Sequence, residues 1–269
     1  MEKQFSEHSN WRNTLKLTDG QTHNQERDAD GSLYWQKPDK TDDIIDFESF
    51  YRWTQKSGWD PYAALTFKSM FDDRNDSFGR SIMFNPMSLS PSAGISRRFV
   101  DTEDRSLLAR VGVAWILNSR RFFTEEPPST ATIRETSNEL AAEAVVEYKV
   151  GALDERVDWE SKLTLILPFV YSGKSVFEDD LNPADWGLPD DVAAYTTTLD
   201  VDWENTFTAN ITKVISVKLY VRWVYDKYDN TVTPVVQEGS LVNAADVTTA
   251  IRKAGQFKQT LALGLGYKF

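Results

Sequence analysis

The residues best suited to chemistry in this 269-residue sequence are carboxylates and bases set two or four positions apart. They are Glu139, Glu143 and Glu147, then Asp158, Glu160 and Lys162, then Asp200, Asp202 and Glu204, and finally Lys218 and Arg222. Paired carboxylates are the tools of glycoside hydrolysis and of aspartyl acid–base chemistry. A spacing of two is also the period of a β-strand, so each set lies along one strand face, and any polar inner face shows the same pattern. Cysteine is absent, which removes thiol nucleophiles, thiolate metal sites and disulfides. His8 and His23 are the only histidines, too few for a multi-histidine zinc site and poorly placed for a histidine triad. The acidic run Glu178, Asp179, Asp180, Asp185, Asp190 and Asp191 lacks the spacing and turn glycine of a calcium loop and reads as solvated charge. No residue is assigned a catalytic, cofactor-binding or metal-ligating role, and no cofactor is implied.

The elements that carry these residues are amphipathic strands. Leu199, Val201, Trp203 and Phe207 oppose Asp200, Asp202 and Glu204, while Val217, Leu219, Val221 and Trp223 oppose Lys218 and Arg222. Val157, Trp159, Leu163 and Leu165 oppose Asp158, Glu160 and Lys162, and Leu107, Val111, Val113 and Trp115 alternate with Gly112 and other small or polar residues. NELAAEAVVEYKV has helical propensity but is expected to be a strand with its glutamates on one face, and Ser88, Ser90, Ser92 and Gly94 form a small polar row. WRNTLKL, DIIDFESFYRWTQ and WDPYAALTFKSMF supply the first strands. The chain ends on an alternating row of Leu261, Leu263, Leu265, Tyr267 and Phe269. That row resembles the C-terminal signal read by barrel-assembly machinery during insertion.

About ten such strands are expected. Their connections alternate: short ones follow Trp53, Phe99, Val150 and Asn210, and long ones run over 19–40, 72–80, 119–136, 171–194 and 226–256. Alternation of this kind is the signature of a transmembrane barrel with periplasmic turns and extracellular loops. The longest apolar run, Leu163 to Tyr171, is far too short for a spanning helix. A mean hydropathy of −0.47 is nevertheless compatible with a barrel, because every second wall residue faces the lumen. The expected fold is therefore all-β, an antiparallel up-and-down transmembrane β-barrel of about ten strands, with twelve as the alternative. Residues 1–10 are expected to be a periplasmic segment and 11–269 the barrel, whose long loops are expected to be mobile or partly ordered. The opening MEKQFSEHSN holds no apolar leader, so export implies one that this sequence does not display.

Six segments in order carry a family resemblance: NWRNTLKLTDGQT, KTDDIIDFESFYRW, KSGWDPYAALTFKSMFD, FNPMSLSPSAGIS, LDVDWENTFTANITKVISVKLYVRWVYD and FKQTLALGLGYKF. Together they are similar to an uncharacterised family of outer-membrane barrel proteins common in Bacteroidetes-type bacteria. The resemblance implies location in a Gram-negative outer membrane and brings no assigned activity.

The net charge of −11 argues against nucleic acid as a partner. The expected partners are outer-membrane lipid, the barrel-assembly machinery and, in some settings, a protein complex in that membrane. Because a barrel of eight to ten strands is nearly filled by its own side chains, the charged inner rows are expected to plug the lumen. The expected role is structural, scaffolding or partner-binding. A porin-like channel for small solutes or ions is the alternative, and an outer-membrane hydrolase using His23 with aspartates is the third.

Overall fold

The computed structural model describes residues 2–6, 8–36, 39–74, 76, 78–152, 156–212 and 214–265. Strands make up 63% of the chain and helix 9%, the helices being confined to connections. One antiparallel sheet holds eleven strands in chain order. They are β1 (Glu2–Ser6), β2 (Ser9–Thr22), β3 (Asp39–Trp53), β4 (Asp60–Ser69), β5 (Met87–Asp101) and β6 (Arg105–Phe123), followed by β7 (Thr132–Ala152), β8 (Val157–Tyr171), β9 (Asp200–Asn210), β10 (Ile215–Tyr225) and β11 (Gln256–Leu265). Ten are long, in agreement with the strand count from the sequence. The eleventh, β1, covers only Ser9–Arg12 of β2 and lies within the segment expected to precede the wall.

The sheet curls into a half-barrel with two chemically distinct faces. Register fixes which residues share a face, because a one-residue slip would exchange the two sets. Asp202, Glu204, Thr206 and Thr208 on β9 stand opposite Val224, Arg222, Tyr220 and Lys218 on β10, all on the concave side. Leu15, Leu17, Leu65, Val111, Val113, Trp115, Trp203, Leu261 and Leu263 stand on the convex side and are exposed. NELAAEAVVEYKV is strand throughout, as expected, and places its glutamates inward.

The wall is drawn tight where β5 meets β6. Gly94 pairs with Gly112, and a Cβ on Gly112 would stand 2.3 Å from the Ala93 carbonyl oxygen and 2.5 Å from the Tyr62 hydroxyl. Two facing glycines thus give Tyr62 of β4 room to lie across the inner wall.

The connections depart from expectation in two places. Between β6 and β7 the strands run on as a ribbon to Phe123 and Thr132, leaving a loop of only 124–131. Arg80 ties that loop to the 70–86 connection by donating to the Glu125 and Ser129 carbonyl oxygens while pairing with Asp76. The second departure is larger: residues 172–199 and 226–255 pack against each other. Phe177, Leu181, Leu188 and Val192 from the first pack with Tyr228, Val232, Leu241, Val247 and Ala250 from the second to form the largest apolar core among the described residues. Two short helices, α1 (Val192–Tyr195) and α2 (Ala244–Ala250), belong to this cap. Apolar residues at the ends of polar loops are enough to do this, because burying each contributes about 1.5–3 kcal/mol.

Candidate functional site

Three cations from three strands converge on Glu48 of β3. Its carboxylate takes Arg12 of β2 at 3.1 Å, Arg110 of β6 at 2.8 Å and Lys162 of β8 at 3.2 Å. Arg12 also holds Glu147 of β7 through both terminal nitrogens, at 2.6 and 2.7 Å. Glu143 accepts from Tyr62 at 3.2 Å and Ser92 at 3.3 Å, and lies 3.5 Å from Arg110. The layer therefore runs across the hollow, joining the second strand of the sheet to the seventh and the third to the sixth and eighth. Beneath Arg12 and Arg110, the ring of Phe50 lies 5.4 and 5.0 Å from the two guanidinium carbons, a cation–π contact from each.

A second group lies toward the long connections. Lys16 of β2 meets Glu204 of β9 at 2.6 Å, and Tyr220 of β10 donates to the same carboxylate at 2.6 Å. Arg222 grips Asp202 with two bonds of 2.8 and 2.7 Å, the fork geometry that suits a carboxylate. Lys16, Asp46, Lys68, Glu204 and Arg222 border a polar cavity of about 160 Å³.

The expected inner residues are thus all on the concave side, but their partners differ from the simple cross-hairpin ladder. Arg222 does meet Asp202, whereas Glu204, directly opposite Arg222, is taken by Lys16. Lys218 stands opposite Thr208 at an exposed end and takes no part in the network with Asp200, Asp202 and Glu204. Glu160 pairs with Lys149 at 2.7 Å near the short-turn end, and Asp158 sits one step further out. Arg12, Glu48 and Arg110, which the sequence reading passed over, are central. Their rows were hard to read because β3 carries Ile45, Phe47 and Tyr51 on one face and Ile44 and Phe50 on the other. The available signal was Asp46, Glu48 and Arg52, three charged residues at even spacing on one strand face.

The cap reaches the hollow through Asn230. Its side-chain amide nitrogen donates to Glu139 at 2.8 Å and to the Thr196 carbonyl oxygen at 3.0 Å, and its backbone carbonyl oxygen accepts from Ser137 at 3.0 Å. Asn118 donates to the other oxygen of Glu139 at 2.7 Å. Around this contact lie Asp200, Asp226 and Asp229 with Arg252, which is 3.4 Å from Asp226 and 3.3 Å from Asp229. Burial, with the Asp229 carboxylate adding to it, pushes the Asp226 carboxyl up to about 7. Tyr228, buried against Phe177, is raised well above the ordinary phenol value mainly by burial.

His23 is exposed in the first long connection while Asp200 and Asp202 face inward, so these three do not come together as an acid–histidine arrangement. Among the described residues no group of carboxylates or histidines has the geometry to hold a metal ion, and Glu178, Asp179, Asp180, Asp185, Asp190 and Asp191 are all exposed.

On the convex face Leu261 and Leu263 are 72% and 73% exposed, Leu265 occupies the next outward strand position, and Tyr267 and Phe269 lie outside the described residues. Three outward tryptophans give their indole N–H to a small polar side chain on the neighbouring strand: Trp11 to Ser49 at 2.8 Å, Trp159 to Asn205 at 3.1 Å and Trp203 to Ser161 at 3.0 Å. Such pairs satisfy the one polar group of each ring without water.

No family model, curated protein or solved structure matches this chain, so its family resemblance rests on the six sequence segments alone.

Proposed function

We propose that the chain is a closed, non-conducting β-barrel of a Gram-negative outer membrane, with a structural, scaffolding or partner-binding role. The observation that carries this reading is the opposition of the two faces: exposed leucine, valine and tryptophan outside, and a buried ionic layer centred on Glu48 inside. Water on the outer face would leave many large apolar side chains unburied, each forgoing about 1.5–3 kcal/mol, whereas hydrocarbon suits them. Aromatic rings with satisfied indole N–H groups suit the two membrane interfaces.

Closure is supported by the fit of the two sheet edges. Beyond the stretch covered by β1, the edge of β2 from Asn13 to Thr22 is ten residues long, and β11 also has ten. Lys258 of β11 reaches Asp42 at 2.6 Å, and Asp42 stands opposite Gly20 of β2. With Lys258 opposite Gly20, Leu263 falls opposite Leu15 and Leu265 opposite Asn13, so every outward residue meets an outward one. The strands are antiparallel in this arrangement, as a ten-strand up-and-down barrel requires.

The absence of native cysteine makes the test clean. A Leu15→Cys, Leu263→Cys pair in the protein folded in lipid is expected to form an intramolecular disulfide under a membrane-permeable oxidant, since facing strand residues lie about 4.5–5.5 Å apart. Leu17→Cys with Leu263→Cys, offset by two residues, is expected to cross-link poorly. Equal yields from both pairs, or links only between chains, would reject the closed register. Planar-bilayer recordings are expected to show no unitary steps, and discrete steps would replace the plugged reading with the channel.

A further inference from the structure

Arg97 is a cation on the wrong face for the ionic lumen. It stands opposite Ala109 in the β5/β6 ladder, on the convex side with Ile95, and the exposed ring of Phe99 lies beside it at a β-bulge. Its guanidinium carbon lies 5.1 Å from the centroid of Trp59 and 5.3 Å from that of Phe99, so two rings hold it by cation–π contact. The carboxylate closest in sequence, Asp101, is taken by its neighbour Arg98. Among the described residues Arg97 has neither a carboxylate nor a hydrogen-bond acceptor.

The height of this clamp matters. One step toward the middle of the wall, Ile95 and Val111 form an aliphatic pair. The other way lie the β-bulge at Phe99 and the short turn after Asp101. Arg97 therefore sits where the aliphatic band gives way to aromatic rings, the level at which headgroups meet a bilayer surface. A guanidinium keeps its charge, presents a planar fork of donors that fits phosphate oxygens, and stacks readily on rings. A fixed fork with no internal acceptor loses little freedom on binding an anion.

We propose that Trp59, Arg97 and Phe99 form a binding site for the phosphate of a phospholipid headgroup in the leaflet facing the short turns. The proposal rests on the membrane reading above. It adds a defined lipid contact to an otherwise non-specific wall, with the acyl chains lying along Ile95 and Val111.

Native mass spectrometry of the detergent-solubilised protein tests it. The probes are phosphatidylglycerol, diacylglycerol with the same chains as the phosphate-free control, and inorganic phosphate as competitor. The wild type is expected to retain phosphatidylglycerol with about tenfold higher affinity than Arg97→Ala, corresponding to one charge-assisted contact. Arg97→Lys, which keeps charge and loses the fork, is expected to fall between them. Diacylglycerol is expected not to distinguish the three, and millimolar inorganic phosphate is expected not to displace the lipid. Equal phosphatidylglycerol occupancy in wild type and both variants overturns the site. Displacement by inorganic phosphate overturns the lipid assignment in favour of a free-anion site. Heat-modifiable gel migration, measured on the same samples, reports the barrel reading separately: wild type lacking it fails that reading, whereas wild type and Arg97→Lys showing it alongside equal lipid binding fails only this one.

Discussion

Glu48 shows how a single carboxylate can hold together the inner face of a curled sheet. Its side chain is 7% exposed and faces three cations, so its removal strands charge that has no other anion within the layer except Glu143 and Glu147. Breaking a buried pair by deleting one partner typically costs about 3–5 kcal/mol. Glu48→Gln is therefore expected to lower the urea midpoint of the protein folded in lipid vesicles clearly, while Glu160→Gln, whose partner Lys149 is exposed, is expected to leave it nearly unchanged. Equal midpoints for the two variants would remove Glu48 from its central place. Gly112 acts through space instead of charge. An alanine there meets backbone at 2.3 Å, and neither β5 nor β6 can yield without losing ladder bonds, so Gly112→Ala is expected to cost about 1–3 kcal/mol in the same assay. Gly187, whose φ is +67° and whose surroundings are open, serves as a contrast: its constraint is torsional and lies in the cap, away from the wall.

The cap is the element whose behaviour should depend on pH. Burial, with Asp229 adding to it, holds the Asp226 carboxyl well above the ordinary carboxylate range in the folded protein. A carboxyl raised in this way binds its proton more tightly when folded, so its contribution favours the docked cap in acid, weakens as pH rises from about 4 to about 7, and is level above that. Asp200 and Glu139 from the wall, and Asp229 and Arg252 from the cap, surround Asp226. Amide exchange over 228–232, corrected for intrinsic rates, is expected to be slowest near pH 5 and to accelerate toward pH 8. Asp226→Asn is expected to flatten that dependence. An unchanged profile in the variant would mean that other groups anchor Asn230 in the mouth.

At the scale of the whole molecule, an acidic chain with a charged hollow and an apolar exterior has two solvents to satisfy. The folded protein is expected to require detergent or lipid to stay monodisperse and to migrate faster on gels before boiling than after. Monodispersity in plain buffer would contradict a lipid-facing wall. Much of this architecture follows from local pattern: the period of two assigned Leu261, Leu263, Val217, Trp203 and Trp115 to one face and Glu143, Glu147, Asp202 and Arg222 to the other, and the strand count and short turns came with it. These features are legible because a side chain's face is set by its own position along a strand. What only the tertiary structure decided is which charges meet. Arg12 with Glu147, Lys16 with Glu204 and Lys258 with Asp42 join strands far apart in sequence, and no periodicity encodes a contact across a hollow whose width depends on curl and shear. The cap was hidden for the same reason: Val192 and Val247 are single apolar residues in polar loops until two connections, separated by a hairpin, fold onto each other and exclude water.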